Sequence, residues 1–200
     1  MGEAAARTAL EALEGAEALP GSLTLRSQPV HIPLGTSRLP PMARLLLGRG
    51  QPLLRGASRY GLLHRLARRA AAKGGTTPSQ GAQTIAGLAM LSEQGLVSRG
   101  GRPHVPTRVA ALEMGSSLRG VTVPGEAVTR LGLPLKDALG SPYRLFLGLT
   151  YDTLGYLIPA DEWMTAPAGS YEESVSLGRQ AGPTVSAALL DLIGQTSGPT

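Results

Sequence analysis

The sequence predicts a mixed α/β domain, a mixed sheet flanked by helices. Three observations lead there. Short runs rich in Val, Leu, Ile and Thr (23–34, 107–114, 118–123, 143–149 and 155–158) alternate with stretches whose apolar residues recur at helical spacing (4–19, 58–73 and 177–193). Glycine and proline, 27 and 16 of 200 residues, punctuate the chain between these runs and argue against a helical bundle. At 42% apolar residues, a chain of this length can bury a core and suits one domain, 1–200.

The elements follow in order. Residues 4–19 put Ala6, Ala9, Leu10, Leu13 and Ala16 on one side of a helix, which Pro20-Gly21 ends. Residues 23–34 partly alternate apolar and polar and read as a strand interrupted at Pro29, whose nitrogen cannot donate to a ladder. Residues 40–47 form a short helix or turn. In 58–73 a helix sets Tyr60, Leu63, Leu66, Ala67 and Ala70 against Arg65, Arg68, Arg69 and Lys73. A Gly/Thr/Ser/Pro linker covers 74–83. Strands at 107–114 and 118–123 flank a Gly-Ser-Ser turn. A helix opens in 125–132 with Glu126 in its first turn. Strands follow at 143–149 and 155–158, and 177–193 is the last helix, entered through 178–183.

Composition removes several chemistries. Without cysteine there is no disulfide, no thiolate nucleophile and no Cys-ligated zinc. No apolar run approaches the roughly 20 residues of a spanning helix. Glu11, Glu14 and Glu17 stand where a secretory leader would be apolar, so the expected location is cytoplasmic as the chain stands. Charge is segregated. No acid lies between Glu17 and Glu93, an interval that carries ten bases. From Ala111 onward, nine acids face five bases. The 36–84 segment reads as a basic insertion. Its helix at 58–73 suits a membrane surface or plain solvent. Nucleic acid is not an expected partner, because Tyr60 is the one aromatic there to stack on bases.

Candidate site residues cluster late in the chain. Pro124-Gly125-Glu126 follows a strand directly, which puts a carboxylate at a carboxyl strand end, where α/β sheets build their sites. Tyr156 follows the next strand by a tight turn containing Asp152 and Gly155. Thirty residues separate Glu126 from Tyr156, enough for one helix and one returning strand. Adjacent strand ends then bring both oxygens to one place. Read alone, a Glu after Pro-Gly is a helix-start carboxylate and a Tyr in an apolar run is a packing residue.

Three segments taken in order, RGVTVPGE (119–126), FLGLTYDTLGYLIP (146–159) and YEESVSLGRQAGP (171–183), resemble the catalytic domain of the neutral/alkaline non-lysosomal ceramidases. These are zinc amide hydrolases that release the fatty acid of ceramide. The best-matching part is 107–195. The resemblance implies Glu126 and Tyr156 as zinc ligands, with two histidines from an earlier part of the domain. It gives Tyr171 the task of contacting the substrate carbonyl and stabilising the oxyanion. Asp152 falls on the Asp of an Asn-Asp pair and would position its loop or a ligand, although Tyr151 replaces the Asn. The substrate would be ceramide or another N-acyl lipid. His31, His64 and His104 stand in no matching context, so the expectation is the back half of a zinc site, with an N-terminal half missing. The alternative is a non-catalytic relic or lipid-binding module.

Overall fold

The computed structural model describes residues 2–16, 18, 21–35, 97–163 and 170–196. The expected elements at 40–47, 58–73 and 74–83 lie outside the described residues, as does His64. The first helix, α1 (Gly2–Glu14), is shorter than 4–19 and none of its residues is buried. The main sheet comprises β1 (Leu23–Pro33), β2 (Val97–Arg99), β3 (Arg102–Met114), β4 (Leu118–Thr122) and β6 (Tyr143–Leu147). Its order is β1-β3-β4-β6, with β2 also pairing β3. A second, two-stranded sheet pairs β5 (Glu126–Ala127) with β7 (Tyr156–Leu157). Helices α2 (Thr129–Ala138), α3 (Tyr171–Ser174) and α4 (Ala181–Thr196) complete the described elements.

The sheet is mixed. β1, β2 and β4 run antiparallel to β3, and β6 runs parallel to β4. A parallel neighbour requires a crossover, which α2 provides. The mixed α/β class is therefore what the chain adopts. Among the described residues, no helix is long and apolar enough to cross a membrane.

Several expected boundaries are wrong for identifiable reasons. β1 is not interrupted at Pro29, which pairs with Arg108 inside a continuous ladder. β1 lies at the edge of the sheet, where a residue lacking N–H can face outward. β3 likewise begins at Arg102, ahead of Pro103 and Pro106. Glu126 is not in a first helical turn. Its N–H donates to the Gly155 carbonyl at 2.9 Å and that of Val128 to Leu157 at 3.2 Å, so both are committed to a parallel partner. The helix starts only at Thr129. The last helix starts at Ala181 because Gly178, at φ +127°, turns against Gly35, whose N–H donates to Leu177 at 2.7 Å.

One face of the sheet carries the core. Val109, Val121 and Ile32 are fully buried there with Leu135 of α2 and Val185 and Leu189 of α4. Arg119 ties the sheet to the end of α2. It forms a partly buried ion pair with Glu113 at 3.0 Å, and it donates to the Leu139 carbonyl at 3.4 Å.

Leu189→Ala should lower stability by about 2–5 kcal/mol in denaturant unfolding, since a fully buried leucine leaves a cavity. Leu190→Ala, one residue along but 48% exposed, should change it by no more than about 0.5 kcal/mol.

Candidate functional site

The site is built where three chain segments meet edge to edge. Residues 123–126 and the loop 148–155 exchange a run of backbone bonds. Thr150 donates to Val123 at 3.0 Å, Leu149 to Gly125 at 3.2 Å, Leu154 to Pro124 at 3.0 Å and Glu126 to Gly155 at 2.9 Å. Tyr156 in turn donates to the Val175 carbonyl at 3.1 Å, and Gly155 bridges Ser176.

Two glycines make this approach possible. A Cβ at Gly125 would stand 2.5 Å from the Gly155 carbonyl oxygen. A Cβ at Gly155 would overlap the Val175 carbonyl oxygen, and its φ of +73° disfavours any side chain. The loop between them is itself strained. Leu149 at φ +53° and Tyr151 at +77° are non-glycine residues in the left-handed region. Each such residue costs about 1–3 kcal/mol, offset here by the backbone bonds on either side.

Pairing of β5 with β7 sets Glu126 directly across from Tyr156. The register places the two side chains on the same side of the paired strands, within each other's electrostatic reach. The Tyr171 ring packs edge-on against Tyr156, with centroids 6.0 Å apart and planes at 71°. Glu126, Tyr156 and Tyr171 are therefore one cluster, exposed or half-buried. Interaction with Glu126 is the main cause that raises the Tyr156 pKa above the ordinary phenol value. Desolvation and the charges of Glu126 and Glu172 add to it.

Tyr171 is held by local chemistry. Ser170 caps α3 by accepting from the Glu173 N–H at 3.2 Å, and Tyr171 is the first residue of that turn. Bonds from its own N–H and from Ser170 hold the Glu172 carboxyl below its ordinary value, so it stays charged. The Ser-x-x-Glu pattern at 170–173 is a legible capping signal that the sequence reading passed over.

The remaining candidates stand apart from this cluster in the bonds they make. Asp152 accepts from the Thr107 hydroxyl at 2.6 Å, which anchors the loop to β3. Thr107 carries no motif that would single it out in the sequence. Asp152 lines an open recess of about 350 Å³ with Tyr151, His31 and Arg108. His31 Nε2 lies 3.1 Å from the Arg99 guanidinium. Burial, then Arg99 and His104, lower its pKa, which favours the neutral ring. His104 Nδ1 lies 3.0 Å from the Arg102 carbonyl. Among the described residues, no group of three or more His, Cys, Asp or Glu could hold a metal ion.

No family model and no curated protein sequence matches the chain. Among solved structures, the chain is similar to the neutral ceramidase of Pseudomonas aeruginosa at 17% identity and a TM-score of 0.46, over 94% of this chain and 30% of that one. A second similar structure is a ceramidase complexed with C2, at 17% identity and a TM-score of 0.41, over 94% of this chain and 31% of that one. The chain thus spans less than a third of the length of either. The chemistry of the site rests on the geometry above.

Gly155→Ala should destabilise the protein by more than about 2 kcal/mol in thermal or urea unfolding, from the left-handed backbone and the clash together. Gly132→Ala in α2, whose added Cβ would meet the Phe146 ring at 3.6 Å, should instead stabilise by about 0.5–1 kcal/mol.

Removing the Glu126 carboxylate should release the Tyr156 proton earlier. In a spectrophotometric titration, with Tyr156→Phe as the subtraction, Glu126→Ala should bring the Tyr156 transition down toward the ordinary value of about 10. A raised folded-state pKa stabilises the fold below the ordinary phenol range and loses that stability as pH climbs through the folded value. The alkaline loss should therefore be shallower in Glu126→Ala than in the parent.

Proposed function

We propose that Glu126, Tyr156 and Tyr171 form one half of a zinc-dependent amide hydrolase site of ceramidase type. The reaction would be N-acylsphingosine plus water giving a fatty acid and sphingosine. The observation that carries this reading is the register that sets Glu126 directly across from Tyr156 on paired strands, with the Tyr171 ring packed against Tyr156.

The donor chemistry fits zinc as far as the donors go. Carboxylate and phenolate oxygens are acceptable ligands, and residues paired across two strands could both reach one ion at about 2.0–2.2 Å. Zinc there would supply Lewis-acid polarisation of the amide carbonyl. Two donors do not make a firm site, which generally takes three protein ligands. The imidazoles are best sought in polypeptide beyond the described residues, since His31 and His104 are engaged with Arg99 and the Arg102 carbonyl.

The chain's own groups divide the remaining tasks. Glu126 raises the Tyr156 pKa, and Glu172 adds negative charge that would attract a cation to the same place. Tyr171, 59% exposed beside Tyr156, would contact the amide oxygen as negative charge develops on it. Asp152, bonded to Thr107, keeps the loop before Tyr156 in position.

By itself the 200-residue chain should bind zinc weakly and release fatty acid from a short-chain ceramide slowly. Zinc should nonetheless raise phenolate absorbance at a pH where Tyr156 is otherwise protonated, and Tyr156→Phe should remove that signal. With a histidine-bearing half of a ceramidase catalytic domain supplied in trans, hydrolysis should appear. Glu126→Ala or Tyr156→Phe should then cut turnover at least ~100-fold. Zinc that leaves Tyr156 unmoved, with no hydrolysis after complementation, would leave the non-catalytic lipid-binding reading. Robust zinc-dependent release by the chain alone would show the site to be self-sufficient.

A further inference from the structure

We propose that the open face of the main sheet is a docking surface for an anionic lipid bilayer. The ladder register defines this face, since residues directly paired across antiparallel or parallel neighbours share a side. Leu25, Leu112, Gly120 and Leu145 form one such row. Leu23, Met114, Leu118 and Tyr143 form the next. Helices α2 and α4 pack on the opposite face, over Val109 and Val121, and among the described residues no helix packs on these rows. Leu23 and Leu25 are 61% and 62% exposed, Tyr143 59%, and Leu145 and Leu147 40% each. Contiguous apolar surface on this scale marks an interaction site in a folded protein.

The other end of the same face is basic. By the same register, Arg102 and Arg108 of β3 and Arg99 of β2 share the side of Leu25 and Leu145. All three are exposed, and among the described residues none has a carboxylate partner. Arg99 and Arg108 are steadied by neutral groups, the His31 ring and the Ser27 hydroxyl. The strands of this face carry no acid: Glu113 of β3 points to the other side, where it pairs with Arg119. Asp152 stands at the margin of the face, bonded to Thr107.

This segregation selects the occupant. A second copy stacked over the full length of this face would have to set bases against bases or bury arginines under leucines, and one overlapping at the leucine end alone would leave the arginines without a counter-charge. A bilayer satisfies both halves at once. The apolar end enters the acyl boundary, and the arginines remain at head-group depth beside anionic lipid, with their aliphatic stems lying along the apolar surface. Leu149 and Tyr151, 48% and 58% exposed, sit in the loop bonded to Gly125. That loop would bring the same membrane edge up to Glu126 and Tyr156. The inference does not rest on the hydrolase reading, because docking is measured without turnover.

The test is sedimentation of the full chain with phosphatidylcholine vesicles, with and without phosphatidylserine. Binding should appear with phosphatidylserine and weaken as salt is raised. Arg102→Gln with Arg108→Gln should weaken it at least about 10-fold, at roughly five-fold per charge lost near the surface. Leu25→Asp with Leu145→Asp should abolish it, with circular dichroism confirming that these exposed positions leave the fold intact. Lys136→Gln, the loss of one charge on exposed α2, should change it less than about two-fold, against roughly five-fold for either arginine alone. Equal binding to both vesicle types, or binding indifferent to both double variants, overturns the proposal. So does a chain that ignores vesicles and forms a dimer or complex that Leu25→Asp with Leu145→Asp dissociates, since a polypeptide then covers this face.

Discussion

The close stacking of three backbones at Gly125, Gly155 and Val175 is the constraint on which the site depends. Peptide groups approach there to distances that no Cβ permits. Because they do, the Glu126 N–H reaches Gly155 and the Tyr156 N–H reaches Val175. The register of β5 on β7 follows from those bonds, and the placement of the Glu126 and Tyr156 side chains on one side follows from the register. Moving any one of these segments by a residue would turn one of the two side chains to the other side of its strand. Left-handed backbone at Leu149 and Tyr151 is the local cost of folding the loop tightly enough to make these bonds.

Electrostatics at the cluster disfavours ionisation of the Tyr156 phenol. Two carboxylates, Glu126 and Glu172, act on Tyr156, and Glu126 has the larger effect. A phenol in that setting is hard to ionise for want of positive charge, and a divalent ion would reverse the balance. Tyr171 owes its place to a different device, the Ser170 cap of a four-residue helix. The site thus draws on a strand pair for its carboxylate and first phenol, and on a capped turn for its second.

The main sheet has two unlike sides. One is closed by α2 and α4 around Val121, Leu135 and Leu189 and supplies the stability of the fold. The other keeps leucines and a tyrosine open to solvent at one end and arginines at the other. Alternation along β1 and β3 makes both sides possible from the same strands, because neighbouring residues point in opposite directions. Pro29, Pro103 and Pro106 are tolerated in those strands, the first because β1 is an edge.

Much of this was legible in the residues. Apolar alternation and glycine turns located β3, β4, β6 and the body of α4, because those signals are local. The mixed sheet followed from strands alternating with helices. The same local reasoning misplaced Glu126 in a helix and broke β1 at Pro29, since both outcomes depend on what lies alongside: a parallel partner in one case, an open edge in the other. The pairing of Asp152 with Thr107, 45 residues earlier, left no trace in either segment. The sequence by itself determined which side chains are available to a site, Glu126, Tyr156 and Tyr171, and which chemistries are absent for want of cysteine. Only the tertiary structure decided that those three lie together and that leucines and a tyrosine on one face of the sheet stay exposed, because strand neighbours and register are set by contacts between distant parts of the chain.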